Sequence, residues 1–80
     1  MGSIWVYRYR ENTITVKNEK ATELYVNDEL RDTIKGLHLK ADLTCTLDTG
    51  EIVKASLRGT LDVECTLSID NLIQEPVEIL

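Results

Sequence analysis

Leu37-His38-Leu39-Lys40-Ala41-Asp42-Leu43-Thr44-Cys45-Thr46-Leu47 alternates without a break. Leu37, Leu39, Ala41, Leu43, Cys45 and Leu47 fall on one side of an extended chain, and His38, Lys40, Asp42, Thr44 and Thr46 on the other. Period two over a whole strand marks a sheet with one dry face and one wet face; a helix would scatter the same residues around its circumference. Residues 60–70 repeat the pattern, with Leu61, Val63, Cys65, Leu67 and Ile69 facing one way and Thr60, Asp62, Glu64, Thr66 and Ser68 the other.

Between these strands lies Glu51-Ile52-Val53-Lys54-Ala55-Ser56-Leu57, bounded by Asp48-Thr49-Gly50 and Arg58-Gly59. Parity sets the register. With Asp48-Thr49-Gly50 as a three-residue loop and Gly50 left-handed, Leu47 opposes Glu51, Cys45 opposes Val53, Leu43 opposes Ala55 and Ala41 opposes Leu57. A two-residue turn would set Lys54 against Cys45 and Arg58 against Ala41, mixing charge into the dry face. Residues 37–69 therefore read as a three-stranded antiparallel meander.

Working outward, Ile4–Arg10 and Thr13–Lys17 flank Glu11-Asn12, a candidate tight hairpin. Thr22–Val26 and Glu29–Lys35 flank Asn27-Asp28, residue types that tolerate the positive φ angles of hairpin turns. Asp70-Asn71 offers a last turn into Leu72-Ile73, before Pro76 halts regular pairing. The expected fold is all-β, an antiparallel β-sandwich or flattened barrel of seven to eight short strands forming a single β-domain over residues 1–80. A chain of this length buries only roughly 60–65% of the surface it exposes when unfolded, which leaves little room for an enclosed active-site cavity.

The formal net charge is −5, and it is unevenly spread. Residues 61–80 carry Asp62, Glu64, Asp70, Glu75 and Glu78 and no base, whereas residues 1–20 include Arg8, Arg10, Lys17 and Lys20. An acidic chain repels phosphates, so no nucleic-acid partner is expected. No apolar run approaches the ~20 residues that cross a bilayer, and Met1–Val6 lacks the basic and apolar stretches of a signal peptide, so neither membrane association nor secretion is expected. Localisation is expected to be cytoplasmic.

Cys45 and Cys65 both fall on the alternating apolar face. In the meander their strands are separated by a third, so their Cα atoms should stand ~9–10 Å apart, at twice the interstrand spacing. A disulfide needs less than ~7 Å, so two buried, reduced thiols are expected, with a disulfide across the two layers of a sandwich as the alternative. Two cysteines without a second pair or a histidine cluster make no metal site, and no cofactor is implied.

Catalytic machinery is not legible either. The single histidine, His38, sits on the wet side of its strand, and no nucleophile elbow, phosphate loop or zinc-protease motif is present. Asp42, Asp62 and Glu64 share wet strand faces with Lys40, Lys54 and Arg58, a composition that makes ordinary cross-strand charge pairs. The chain is therefore expected not to be an enzyme, with no catalytic residue. Trp5, Tyr7 and Tyr9 line one side of the first strand. Aromatics at period two form either a packed core or a platform, and any exposed part of this stripe, flanked by Arg8 and Arg10, would suit a protein contact, where aromatics and Arg are enriched.

Several local patterns, in order along nearly the whole chain, carry a resemblance to a known family: Ile4-Trp5-Val6 with Glu11-Asn12 and alternating Ile14 and Val16; the Asn27 turn between Tyr25-Val26 and Leu30; Lys54-Ala55-Ser56; and Cys65-Thr66-Leu67-Ser68-Ile69-Asp70-Asn71 running on to Glu75-Pro76. In these the chain resembles the C-terminal β-domain of the Fas apoptotic inhibitory molecule family. It departs at Asp28, where that family tends to have Gly, and the family carries two such domains in tandem. The resemblance implies a non-enzymatic β-sandwich acting through protein contacts, with no catalytic residue to carry over and no apoptotic role to inherit.

The expectation is thus an interaction module for an unknown protein partner, using Trp5, Tyr7, Arg8, Tyr9 and Arg10 or an open sheet edge. Such a module would be a monomer, or a weak homodimer through that edge. The alternative is a small-ligand or carbohydrate-binding domain using the same aromatics between its sheets. Topography discriminates: a flat or convex patch suits a protein, and a concave pocket with converging polar groups suits a ligand.

Overall fold

The computed structural model describes residues 2–36 and 39–80. The dry-face and wet-face positions expected for Leu37 and His38 lie outside the described residues. Nine strands follow in order: β1 (Ser3–Tyr9), β2 (Asn12–Asn18), β3 (Ala21–Val26), β4 (Glu29–Lys35), β5 (Lys40–Thr46), β6 (Ile52–Gly59), β7 (Val63–Ile69), β8 (Leu72–Gln74) and β9 (Glu78–Ile79). All the pairings are antiparallel, in a five-stranded sheet β4-β3-β2-β1-β9 and a four-stranded sheet β5-β6-β7-β8. Two meanders thus lie face to face as a sandwich, and β9 returns from the second to the first.

The β5–β6 register follows parity as expected: Ala41 opposes Leu57, Leu43 opposes Ala55 and Cys45 opposes Val53. The Leu47 N–H donates to the Glu51 carbonyl (2.9 Å) and the Gly50 N–H to the Leu47 carbonyl (2.9 Å), closing the loop with Gly50 at φ 99°. At the two-residue turns Asn27-Asp28 and Asp70-Asn71 both residues have positive φ, 50° and 67° in the first and 49° and 67° in the second. That is the backbone that a two-residue hairpin needs to match strand twist. Asp28 adopts it although it is not a glycine.

Four sequence readings need correction. The strand expected over 37–47 begins at Lys40, and Leu39 stands before it, half exposed. The strand expected over 60–70 begins at Val63, and Leu61 is 95% exposed in the connecting loop. Gly59 pairs with Val63, so the chain must reverse within residues 60–62, and that tight loop turns Leu61 outward. The first hairpin turns at Arg10-Glu11, with Tyr9 opposite Asn12, not at Glu11-Asn12. Both turns put Tyr7 opposite an apolar β2 residue, so alternation does not separate them. The choice falls to contacts beyond the hairpin: the Asn27 amide donates to Asn12 Oδ1 (2.9 Å), and the Thr13 N–H donates to Asn27 Oδ1 (2.9 Å). Finally, Pro76 ends β8 but not pairing, because Glu78 and Ile79 pair with Val6 and Trp5, adding a ninth strand to the seven or eight expected.

The core is one cluster between the sheets, built from Trp5, Tyr7, Ile14, Val16, Leu24 and Val26 on one side and Leu43, Val53, Ala55, Leu57, Leu67 and Ile69 among others on the opposite side. One flank of the sandwich is sealed by side chains. The β3–β4 register slips between Leu24 and Tyr25, which leaves Arg31 as the extra residue of a bulge. Asp32 Oδ2 accepts the Thr44 N–H (2.9 Å), and Arg31 donates to the Thr46 carbonyl. Edge-facing backbone groups of β5 are thereby satisfied without a ladder, a common way to keep an edge strand from recruiting another chain.

Candidate functional site

The aromatic stripe points inward. Trp5 is 4% exposed and Tyr7 is fully buried, so neither offers a contact surface. The Tyr7 hydroxyl donates across the sandwich to the Cys65 carbonyl (3.4 Å); burial first, then the Cys65 contact and the charge of Glu75, push its pKa far up. Tyr9 is half-buried, and its hydroxyl donates to Glu51 Oε2 (3.2 Å). Arg10 Nη1 reaches the same oxygen (3.2 Å) while its guanidinium sits 5.2 Å from the Tyr9 ring centroid. Arg8 is exposed, on the face of β1 opposite to the aromatics. The five residues expected to share a partner contact are therefore divided between the core, an inter-sheet clasp and the outer face.

Glu51 is the centre of that clasp, and it sits at a core-parity position, in line with Val53, Ala55 and Leu57. Its carboxylate is 9% exposed by residue and accepts from the Thr49 hydroxyl as well as from Tyr9 and Arg10. The Thr49 bond above all, with its own backbone N–H, Tyr9 and Arg10, holds its pKa below the usual glutamate range against the cost of burial. A lowered folded-state pKa stabilises the fold fully above the ordinary glutamate pKa and ceases to do so as pH falls through the lowered value. Glu51→Gln is therefore expected to lower the urea midpoint at pH 7, with the gap from the wild type narrowing as the pH falls below the ordinary glutamate range. A gap that stays constant down to the acid limit of the folded state would show that charge at Glu51 is irrelevant to the clasp.

The cysteines are free and half-buried, less enclosed than expected. Cys45 lies opposite Val53 and Cys65 opposite Leu57, on either side of β6, so they are offset along the strands as well as across them. Two interstrand steps and four residue rises put their Cα atoms on the order of 16 Å apart. Burial pushes both thiols up, which slows attack by thiol reagents. Titration is expected to be sluggish in the native protein and to count two thiols in denaturant without reductant. A mass two units below that of the reduced chain would contradict this.

Of the expected charge pairs, Arg58 meets Asp42 at 3.1 Å on the outer face of the second sheet, an exposed pair that contributes little to stability. Asp62 lies in the 60–62 loop instead of on a strand face, and Glu64 stands opposite Arg58. Among the described residues no group of three His, Cys, Asp or Glu side chains converges, and no helix is long and apolar enough to cross a membrane. A depression of about 300 Å³ opens at one end of the sandwich beside Ser3, Asn18, Leu39 and Leu61, and none of the three stripe aromatics lines it.

The remaining unusual surface is the flank opposite to the β4–β5 seal. Leu72, Ile73, Val77, Ile79 and Leu80 are all 61–71% exposed, and they crowd into the last nine residues. They sit on β8 and β9, the two shortest strands, and on the segment that carries the chain between the sheets. β8 pairs only with Leu67 to Ile69, and β9 pairs only with Trp5 and Val6, with Leu80 adding bonds to Ile4. Each leaves part of its neighbour unpaired by any described strand: Tyr7–Tyr9 of β1 and Val63–Thr66 of β7. Sequence reading followed the chain through Leu72-Ile73 to Pro76 and did not single out this flank, although the density of apolar residues there was visible. No protein-family model, curated protein or solved structure matches the chain.

Proposed function

We propose that the chain is a non-enzymatic protein-interaction module whose contact surface is the flank formed by β8, β9 and the uncovered part of β7. The observation that carries the reading is the concentration of five exposed large apolar side chains on Leu72–Leu80, beside incompletely paired strands. Interfaces are built around such clusters, and open strand edges accept partner strands through backbone hydrogen bonds. The resemblance to a family of non-enzymatic β-sandwiches supports the same class, and two free thiols suit a reducing compartment such as the cytoplasm.

Capture from an extract of the native host tests this with three proteins: the wild type, Ile79→Ser with Leu80→Ser, and Lys54→Ser on the outer face of the second sheet. Proteins retained by the wild type should be lost with the flank variant and kept with Lys54→Ser. Equal capture by all three, with urea midpoints unchanged, would remove the flank from consideration.

A further inference from the structure

Resting on that reading, we infer that the uncovered stretch Val63–Thr66 of β7 is a slot for one extended partner segment in which apolar and basic residues alternate. Its origin is local. β8 runs beside Ile69, Ser68 and Leu67, and would go on past Thr66 and Cys65 if the chain did not leave for the first sheet at Glu75-Pro76. Proline has no N–H for a ladder, so β8 stops with the far end of β7 uncovered.

The backbone of that end points the right way. The Asp70 N–H donates to the Ile52 carbonyl, so even-numbered β7 residues bond to β6, and odd-numbered ones present their N–H and C=O to the β8 side. Leu67 and Ile69 meet β8 there, and Val63 and Cys65 lie beyond its end; the Cys65 carbonyl already accepts the Tyr7 hydroxyl (3.4 Å) and keeps its second lone pair for a strand donor. A partner strand would continue the line of β8 over about four residues.

Parity then assigns the partner's chemistry. Residues directly opposite on paired strands share a face, so its alternate side chains would turn toward the sandwich beside the half-buried Val63 and Cys65, which pack against the core cluster. These must be apolar. The others would turn outward beside Glu64, with Asp62 in the loop at one end of the slot and Glu75 at the other. Among the described residues none of these three carboxylates is in an ion pair. Arg58, opposite Glu64, is engaged by Asp42. Residues 61–80 hold five acids and no base, so a second copy pairing through the same flank would bring like charges together, whereas a basic strand would be attracted.

The probe is a synthetic peptide, acetyl-Lys-Val-Lys-Ile-Lys-Val-Lys-amide, set against one with Glu for every Lys and one with Pro for the central Ile. Amide NMR shifts of the intact chain report the place of binding, and titration reports affinity. The lysine peptide should shift the Val63 and Cys65 amides. Its affinity should drop about tenfold or more with the glutamate peptide, from repulsion, and similarly with the proline peptide, from the lost ladder bond. Glu64→Gln with Glu75→Gln should weaken it several-fold without moving the urea midpoint. Equal binding of the lysine and proline peptides would mean charge attraction without strand addition, and would overturn the inference. So would failure of all three peptides to bind, because the acids would then serve only to keep strands away. Concentration-dependent dimerisation that protects the Val63 and Cys65 amides would also overturn it, since the slot would belong to a second copy. If the Ile79→Ser and Leu80→Ser variant loses captured proteins while the lysine peptide leaves Val63 and Cys65 unmoved, the interaction flank stands and this occupant falls.

Discussion

Trp5→Ala is expected to lower stability by ~3–5 kcal/mol, the cost of deleting a buried aromatic and leaving part of its volume empty. Trp5 is 4% exposed, lies opposite Val16 on one side and Ile79 on the other, and belongs to the inter-sheet core. Against a total stability of ~5–15 kcal/mol for a small domain, the loss is large enough to leave a measurable unfolded fraction. Urea unfolding followed by circular dichroism checks it, because the substitution removes the only tryptophan. A midpoint shift worth less than ~1 kcal/mol would place Trp5 at the surface and return the aromatic stripe to the list of contact surfaces.

Gly59→Val is expected to cost ~3 kcal/mol, the upper part of the range for overpacking. A Cβ built at Gly59 would lie 2.1 Å from the Asp62 carbonyl oxygen and 2.8 Å from the Asp62 carbonyl carbon and Val63 Cα, all backbone atoms with no flexible side chain to yield. Gly50 is the instructive contrast. A Cβ there meets nothing within 4 Å, and the obstacle is its φ of 99°. Gly50→Val should accordingly cost only ~1–2 kcal/mol, a strain of torsion and not of space. The two midpoints, measured side by side, check the assignment of both loops. A Gly59→Val protein as stable as the wild type would mean that residues 60–62 do not close as described.

The flank of β8 and β9 has no counterpart on the other side of the molecule. There, the Arg31 bulge and the Asp32 carboxylate use side chains to satisfy the edge of β5. The difference is chemical: Pro76 withdraws the chain from β7 before its edge is covered, and three of the four residues that follow, Val77, Ile79 and Leu80, are apolar where edge protection would call for charge.

Alternation by itself determined the dry faces of β5, β6 and β7 and the β5–β6 register, and residue type placed the turns at Asn27-Asp28 and Asp70-Asn71, because each depends on residues within a few positions of one another. It also placed Glu51 in line with Val53 and Ala55, so the buried carboxylate was legible, but not its partners. Tertiary structure alone decided the rest. Moving the first turn from Glu11-Asn12 to Arg10-Glu11 shifts β2 by two residues and leaves every face unchanged, so only contacts from Asn27 and Glu51, distant in sequence, could select between them. Whether Trp5 and Tyr7 were core or platform was equally open, since period two says which side chains share a face and not what covers that face. The second sheet covers it, and it does so because the chain crosses over after β4, a step that no periodicity within a strand records.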